Sequence, residues 1–311
     1  MATLLGLGET LVWLAAVVGG SAALAWVFRA GAVRLAPPRM ARVLRTAPLT
    51  ASFGLLVILL YVFAAIFADL IAPFPERAVV GGQYLPWDAA HWLGTDNLGR
   101  DTFSRLIYGA RNTVGIALVT TVLAFVVGTV LGLLAATVGG WPDQILSRGV
   151  DVLMAIPALI FSLLLLTIFG TSVVSLIMVI ALIDATRVFR LARAVAQGIV
   201  VMDYIEAARL RGEGLGRLIG REILPNAMAP LVAEFGLRFC FVFLSISALS
   251  FLGLGIQPPT ADWGSMVREN ATLITFGDVT PLLPAGAIAL LTVAVNFVVD
   301  WMLHRASGLK E

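Results

Sequence analysis

The sequence predicts an all-α polytopic membrane protein, and three observations carry that expectation. Of its 311 residues 59% are hydrophobic and only 13% charged, whereas a soluble domain has about a quarter charged. The mean hydropathy is +0.97. Apolar runs long enough to cross a hydrocarbon core of roughly 30 Å recur along the chain, and seven are expected, six forming a core and one preceding it. A net charge of +2 carries little weight here, because in a membrane protein the side on which the cations lie matters more than their sum. The single cysteine, Cys240, has no partner for an internal disulfide, and with two histidines it matches no metal-ligand spacing. No metal site is therefore expected, and no nucleic-acid partner or catalytic residue is expected of this chain.

Residues 10–28 form the first apolar run. A signal peptide would need a basic start and a cleavage site, but here the start carries Glu9, and Arg29, Arg34, Arg39, Arg42 and Arg45 follow. Residues 1–48 are accordingly read as an additional membrane helix with its N-terminus outside, then a basic cytoplasmic linker. Residues 49–71 are the first core helix, and a polar external segment runs on to about Arg111, so that 49–110 is one unit. Within it Phe103, Leu106 and Ile107 are expected to face lipid on a short helix, with Asp101 and Arg105 one turn apart on its polar side.

Residues 113–138 return inward, where Gly128 and Gly132 have the spacing that lets a neighbouring helix approach closely. The chain turns at Gly139-Gly140-Trp141-Pro142. Residues 151–169 go out again with a kink at Pro157, and 172–195 come back. Asp184 lies in that segment, and an ionisable group inside a membrane span is a functional candidate. Arg187, one turn on, is its expected partner. Residues 228–253 run outward with Glu234 and Arg238 four apart, a favourable helical pair that belongs against protein or water rather than lipid. A second external loop follows, and residues 281–303 form the last helix, with 304–311 as a cytoplasmic tail.

Between the fifth and sixth runs lies a polar island, Asp203 to Pro225. Residues 203–211 are good helix formers, and Gly212, Gly214 and Gly216 make regular continuation costly. A short helix and a turn are expected. A solvated connecting loop is the plain alternative. A nucleotide-binding loop is excluded, because no strand precedes the glycines and the chain has no Gly-Lys-Ser/Thr.

Glu206, Ala207, Ala208 and Gly212, with Leu224 and Pro225 beyond, resemble the EAA loop of the transmembrane subunits of ATP-binding-cassette importers. Four further stretches resemble the dipeptide, oligopeptide and nickel branch of that family in the same order: His91 to Arg105, Gly109-Ala110-Arg111, Asp151 to Pro157, and Phe251 to Met266, the last with Ala261-Asp262 where Pro-Glu is more usual. The tail lacks the family's Leu-Asp-Pro ending. The resemblance covers roughly His91 to Asp300 and implies a type I importer permease core over 111–303, the second permease of a pair. It further implies a second permease subunit, two ATP-binding subunits that hold ATP and magnesium, and an external solute-binding protein, in a bacterial inner membrane. Glu206, Ala207, Ala208 and Gly212 would then dock in the ATPase. The implied cargo is a di- or oligopeptide, with glutathione, nickel chelates and oligosaccharides as alternatives. Two other classes fit less well. An ion-coupled secondary transporter would show internal repeats and a midplane carboxylate, for which Asp184 is the sole hint. An intramembrane enzyme would need a nucleophile or metal set that the composition lacks.

The arginines and the one lysine test this path. Fifteen fall in segments read as cytoplasmic and five in segments read as external, a bias that puts residues 203–225 inside. It also puts Met1 outside. A reporter fused at Met1 is therefore expected to be modified by an external membrane-impermeant reagent; modification from the cytoplasm alone would overturn the seven-helix path.

Overall fold

The computed structural model describes residues 2–306, with side chains described from Ala16 onward except those of Arg39 and Ala306. Among these residues the regular elements are helices, supplemented by two isolated β-bridges, Val79 with Arg100 and Thr95 with Asp101. Helices are what an apolar chain in lipid must form, since each backbone N–H and C=O then finds its partner within the segment. Among the described residues five helices are long and apolar enough to cross a membrane, and a sixth span arises if one sharply bent pair is counted as a crossing.

The chain divides into two compact units. The first comprises residues 1–61 with 290–311. It holds helix α1 (Ala2–Leu35), α2 (Pro38–Arg45), most of α3 (Leu49–Ile66) and most of α14 (Leu282–Ala306). The first helix thus runs seven residues beyond the expected end at 28, and the stretch read as a linker contains a second helix. Within this unit α3 and α14 come together at Gly54, which lies directly on the Ala294 carbonyl and the Val298 side chain.

The second unit spans residues 62–289. The first core helix breaks at Phe67 and resumes as α4 (Ala68–Ile71). After a long irregular segment, α5 (Thr102–Gly109) passes through a π-helical turn at Ala110–Val114 into α6 (Gly115–Val138) without a break. At 1.5 Å per residue these 37 residues make a rod of about 55 Å, longer than a bilayer core is thick. It ends at Gly139, whose φ of +65° suits a residue without Cβ. Next come α7 (Gly140–Ala155) and α8 (Ala158–Phe169), bent 91° relative to each other. The cause is Pro157: it holds Ile156 in an extended conformation (φ −89°, ψ 130°) and removes an N–H from the ladder. The expected kink is therefore a full break, and the helical stretch begins at Gly140 rather than Asp151.

Helix α9 (Val173–Val200) is capped by the Ser172 hydroxyl and is about 42 Å long by its residue count. Its charged residues keep it outside the five candidate spans, and Leu176, Ile180, Val188 and Phe189 bury it against neighbouring helices. Then follow α10 (Asp203–Leu210), α11 (Leu215–Arg217), a second π-helical turn at Leu218–Ile223, α12 (Leu224–Phe251) and α13 (Trp263–Asn270). Helical structure leading into the outward span thus resumes at Leu215, well before the expected start at 228.

The dominant packing is α6 on α9. A Cβ on Gly128 would stand 2.6 Å from the Ala185 carbonyl oxygen and 2.7 Å from Val188 Cβ, and one on Gly132 would stand 2.7 Å from the Phe189 carbonyl oxygen. Backbone lies against backbone, as the small-residue spacing predicted. Replacing Gly128 or Gly132 by Ala is expected to cost about 1–3 kcal/mol by forcing the helices apart, whereas Gly198→Ala, with open space around it, should be neutral or slightly stabilising. Thermal unfolding of the purified protein in detergent checks this; equal melting temperatures for Gly128→Ala and Gly198→Ala would refute it.

Candidate functional site

Helix α10 is built to have two faces. Asp203 and Glu206 in its first turn and Arg209 in its last suit the helix dipole. Ile205 and Ala208, one turn apart, are fully buried in a cluster with Leu133, Ala136, Ala192, Ala196, Leu218 and Ile223. Asp203, Tyr204, Glu206, Ala207 and Leu210 are exposed, Leu210 at 83%. The expectation that both alanines present themselves to a partner therefore needs correction. Ala207 does so, but the Ala208 methyl belongs to this chain's own core, because the i, i+3 spacing that buries Ile205 carries Ala208 in with it.

The helix ends as the glycines suggested. Gly212 has φ +78°; its N–H donates to the Arg209 carbonyl (2.9 Å) and the Glu213 N–H to the Ala208 carbonyl (3.2 Å), the paired bonds of a left-handed C-terminal cap. A Cβ there would meet nothing within 4 Å, so conformation rather than space calls for glycine. Leu224 is half-buried against the same cluster, and Pro225 is exposed in the first turn of α12, where an N–H has no helical partner to lose. Two contacts root α10 and its surroundings. Arg209 Nη2 donates to the Thr137 carbonyl in the last turn of α6 (3.1 Å), and Arg193 of α9 clasps both oxygens of Asp143 on α7.

Within the helical bundle the two expected local ion pairs are one network. Asp184 Oδ1 accepts from Arg187 Nη1 at 3.1 Å and from Arg238 Nη1 at 3.3 Å, and Arg238 Nε stands 2.6 Å from Glu234 Oε1. The Asp184 side chain is 3% exposed and that of Arg238 11%, while the Arg238 guanidinium also lies over the Phe241 ring at 4.7 Å. Two cations and two anions cancel, which is what a low-dielectric setting requires. Both sequence pairs exist, but no local pattern announces the bridge between residues 54 apart.

At the far end of α6 lies a polar assembly that sequence reasoning missed. Arg100 pairs with Asp96 (2.6 Å) and Glu269 (3.0 Å), and Arg105 approaches the same two carboxylates at 3.3 and 3.6 Å. All are buried or nearly so. Asp101 does not pair with Arg105; it caps α5 through the Ser104 N–H and meets His91 Nδ1 at 3.2 Å. Of the expected orientation of α5 only Ile107 needs correction, since Phe103 and Leu106 stay half-exposed. The polar side of the helix, Asp101 and Arg105, faces the protein interior, and Ile107, expected in lipid, is 8% exposed. Asp262 is the matching cap of α13: it accepts from the Ser265 N–H and from Thr113 Oγ1 at 2.9 Å each. Burial pushes its carboxyl above the usual carboxylate range, against the pull of those donors. Glu76 accepts from Asn112 Nδ2 (2.8 Å) and the Ala261 N–H, and Trp263 Nε1 donates to the Leu106 carbonyl at 2.9 Å. The π-helical turn therefore presents Asn112 and Thr113 to the segment before α13. Beside it opens a cleft of about 330 Å³ lined by Asp69, Glu76, Arg77, Tyr108, Arg111 and Asn112. There the Arg111 guanidinium, helped by the Tyr108 hydroxyl, holds the Asp69 carboxyl below its ordinary range.

Residues 128–306 match the family described as binding-protein-dependent transport system inner membrane component. Among curated proteins the chain is similar to the di/tripeptide transport system permease protein DppC of Pseudomonas aeruginosa, with 37% identity over 79% of this chain and 84% of that one. It is also similar to the dipeptide permease DppC of Alkalihalophilus pseudofirmus (34%, covering 79% and 82%) and to the glutathione permease GsiD of Pectobacterium atrosepticum (32%, covering 79% and 82%).

If Asp184 is the shared acceptor of two guanidinium groups, Asp184→Leu should lower the melting temperature, by less than the about 3–5 kcal/mol of a buried charge left with no partner, because Arg238 keeps Glu234 and Arg187 is part-exposed. Arg238→Leu should do the same, and the double variant should be more stable than the sum of the two losses implies. A double variant whose loss equals that sum would show that the residues do not interact.

Proposed function

This chain belongs to the family of inner membrane components of binding-protein-dependent transport systems, and from that membership we propose how it takes part in import. It is a membrane-spanning permease subunit of an ATP-driven importer of peptides, not an enzyme. In our reading it pairs with a second permease to enclose the pathway in a bacterial cytoplasmic membrane, receives cargo from an external solute-binding protein, and is driven by two cytoplasmic ATP-binding subunits. ATP and magnesium are held by those subunits. Short peptides are the proposed cargo, in keeping with the dipeptide and di/tripeptide transport of two relatives; glutathione, transported by the third, is the alternative. Nickel chelates and oligosaccharides are remoter alternatives that rest on the sequence resemblance alone.

The observation that carries the coupling role is the division of α10. Glu206, Ala207, Tyr204 and Leu210 are exposed side by side, while Ile205 and Ala208 are fixed in the core and Arg209 is fixed to α6. An exposed apolar and acidic patch on a helix that is rooted in two spans suits a surface that a partner grips and pulls. An ion-coupled mechanism is less well supported, because Asp184, the carboxylate it would use, already accepts from two arginines.

The test separates the two faces. Glu206→Arg and Ala207→Trp should leave the permease in the membrane at normal amount, and either abolish association with the ATP-binding subunits or leave hydrolysis without transport in proteoliposomes. Gly212→Val should act similarly, with a folding cost of roughly 1–2 kcal/mol for a left-handed backbone. Ala208→Trp should instead reduce the amount of folded permease. Normal transport by Ala207→Trp with its ATPase bound would sink the assignment.

A further inference from the structure

The first unit carries a charge pattern that the transport reading does not use. Between Thr10 and Ala68 the sequence has five arginines, Arg29, Arg34, Arg39, Arg42 and Arg45, and no acidic residue. Arg42 and Arg45 fall on one side of α2. Successive residues of an α-helix are about 100° apart, so positions 42 and 45 share a face, and Met40, Val43 and Leu44 lie toward the opposite one. Helix α2 is therefore a short basic amphipathic helix, and it follows within three residues of the end of a candidate span, Ala16–Leu35.

Its placement is fixed and its charges are open. Arg29 Nη1 donates to the Ala47 carbonyl just past α2, at 3.0 Å, and Ala41 and Ala47 are buried, so α2 is held against α1. Arg34, Arg42 and Arg45 are exposed, and among the described residues none of them takes part in an ion pair. Beside them Leu35 is 90% exposed and Met40 62%. Arginines that only set membrane orientation need no amphipathic phase and no exposed apolar neighbour.

We propose that α2 lies in the membrane interface as a binding site for anionic phospholipid, with Arg34, Arg42 and Arg45 on the headgroup phosphates and Met40 and Leu35 among the acyl chains. Charge complementarity selects this occupant: a surface of uncompensated guanidinium groups with an adjoining apolar face matches an acidic headgroup on an acyl chain. A protein partner would need both an acidic face and a hydrophobic pocket at membrane depth. The inference uses the transport reading only for the presence of a bilayer, so failure of the ATPase-coupling test leaves it standing, and the reverse.

The assembled transporter, carrying Cys240→Ser and Met40→Cys labelled with an apolar fluorophore, is reconstituted in phosphatidylcholine nanodiscs containing a small fraction of phosphatidylglycerol. Bromine quencher is placed on one lipid or the other. Quenching by brominated phosphatidylglycerol should exceed its mole fraction several-fold. The excess should disappear in Arg34→Ala/Arg42→Ala/Arg45→Ala, since each basic residue near the surface contributes about fivefold and three together on the order of a hundredfold in affinity. Lysine at the three positions should keep it. In the protein with all arginines intact the excess should also fall as ionic strength rises, a measurement that decides the matter even if the triple alanine variant fails to assemble. Equal quenching by both lipids would show an interfacial helix without anionic preference. No quenching by either would show a helix covered by protein. Either result overturns the proposal.

Discussion

The approach of α6 to α9 is the contact on which the second unit depends. Without side chains at Gly128 and Gly132, the backbone of one helix rests on the carbonyls of the other, and no rotamer change can relieve a shift between them. Such a pair moves as a body or not at all. Helix α6 continues without interruption into α5, so the same rigid element ends at one extreme beside α10, through the Thr137 carbonyl, and at the other in the Asp96, Arg100, Arg105 and Glu269 assembly. A displacement of α10 would be delivered along this rod to the loops around α13. The weak point of the rod is the π-helical turn at Ala110–Val114, a local departure from regular helix geometry, and there Asn112 and Thr113 are held from the side by Glu76, Ala261 and Asp262.

Two ion networks lie along this element, and their settings differ. Ion pairs out of water recover little net stability, because desolvation cancels most of the attraction; what they impose is a penalty on every other arrangement. In the helical bundle Asp184 accepts from one arginine on its own helix and one on α12. Sliding α12 past α9 would break the bridge from Asp184 to Arg238 and leave each with only the partner on its own helix, so the network favours one register between the two. In the loops, Glu269 from α13 takes the guanidinium of Arg100, whose other carboxylate, Asp96, lies four residues away in chain. That arrangement joins two distant segments into one surface. A transporter that must move between states benefits from parts that keep their internal geometry while their mutual positions change.

What was legible in the sequence follows from how local each signal is. The spans were visible because hydropathy sums over a window, and the Gly212 turn because a left-handed cap calls for glycine whatever surrounds it. The break at Pro157 was placed correctly but understated, since proline dictates that the helix yields and packing decides by how much. Helix α5 departs from its expected orientation at Ile107, which is buried, while Phe103 and Leu106 stay half-exposed. Asp101 is satisfied locally by Ser104, but Arg105 finds the Pro259 carbonyl and the Glu269 carboxylate more than 150 residues away in sequence. No window can contain that information. The Asp184 to Arg238 bridge was hidden for the same reason: each residue had a satisfactory partner within one turn.

The alanine pair in α10 shows how a motif can be recognised and still be misread at single-residue level. Adjacent helical residues are about 100° apart, so Ala207 and Ala208 cannot both face one partner squarely. Helix α10 uses that geometry. Ala208, with Ile205, is enclosed among residues from α6, α9, the second π-helical turn and α12, and small size there allows the helix to sit close to three spans at once. Ala207 stands beside Glu206 on the open side, where small size leaves room for something else to approach. A pull on the open face is therefore resisted directly by the enclosed one, with Arg209 adding a hydrogen bond to the end of α6. The two alanines serve opposite ends of the same lever, and a larger residue at Ala208 would weaken its root where one at Ala207 would obstruct its grip.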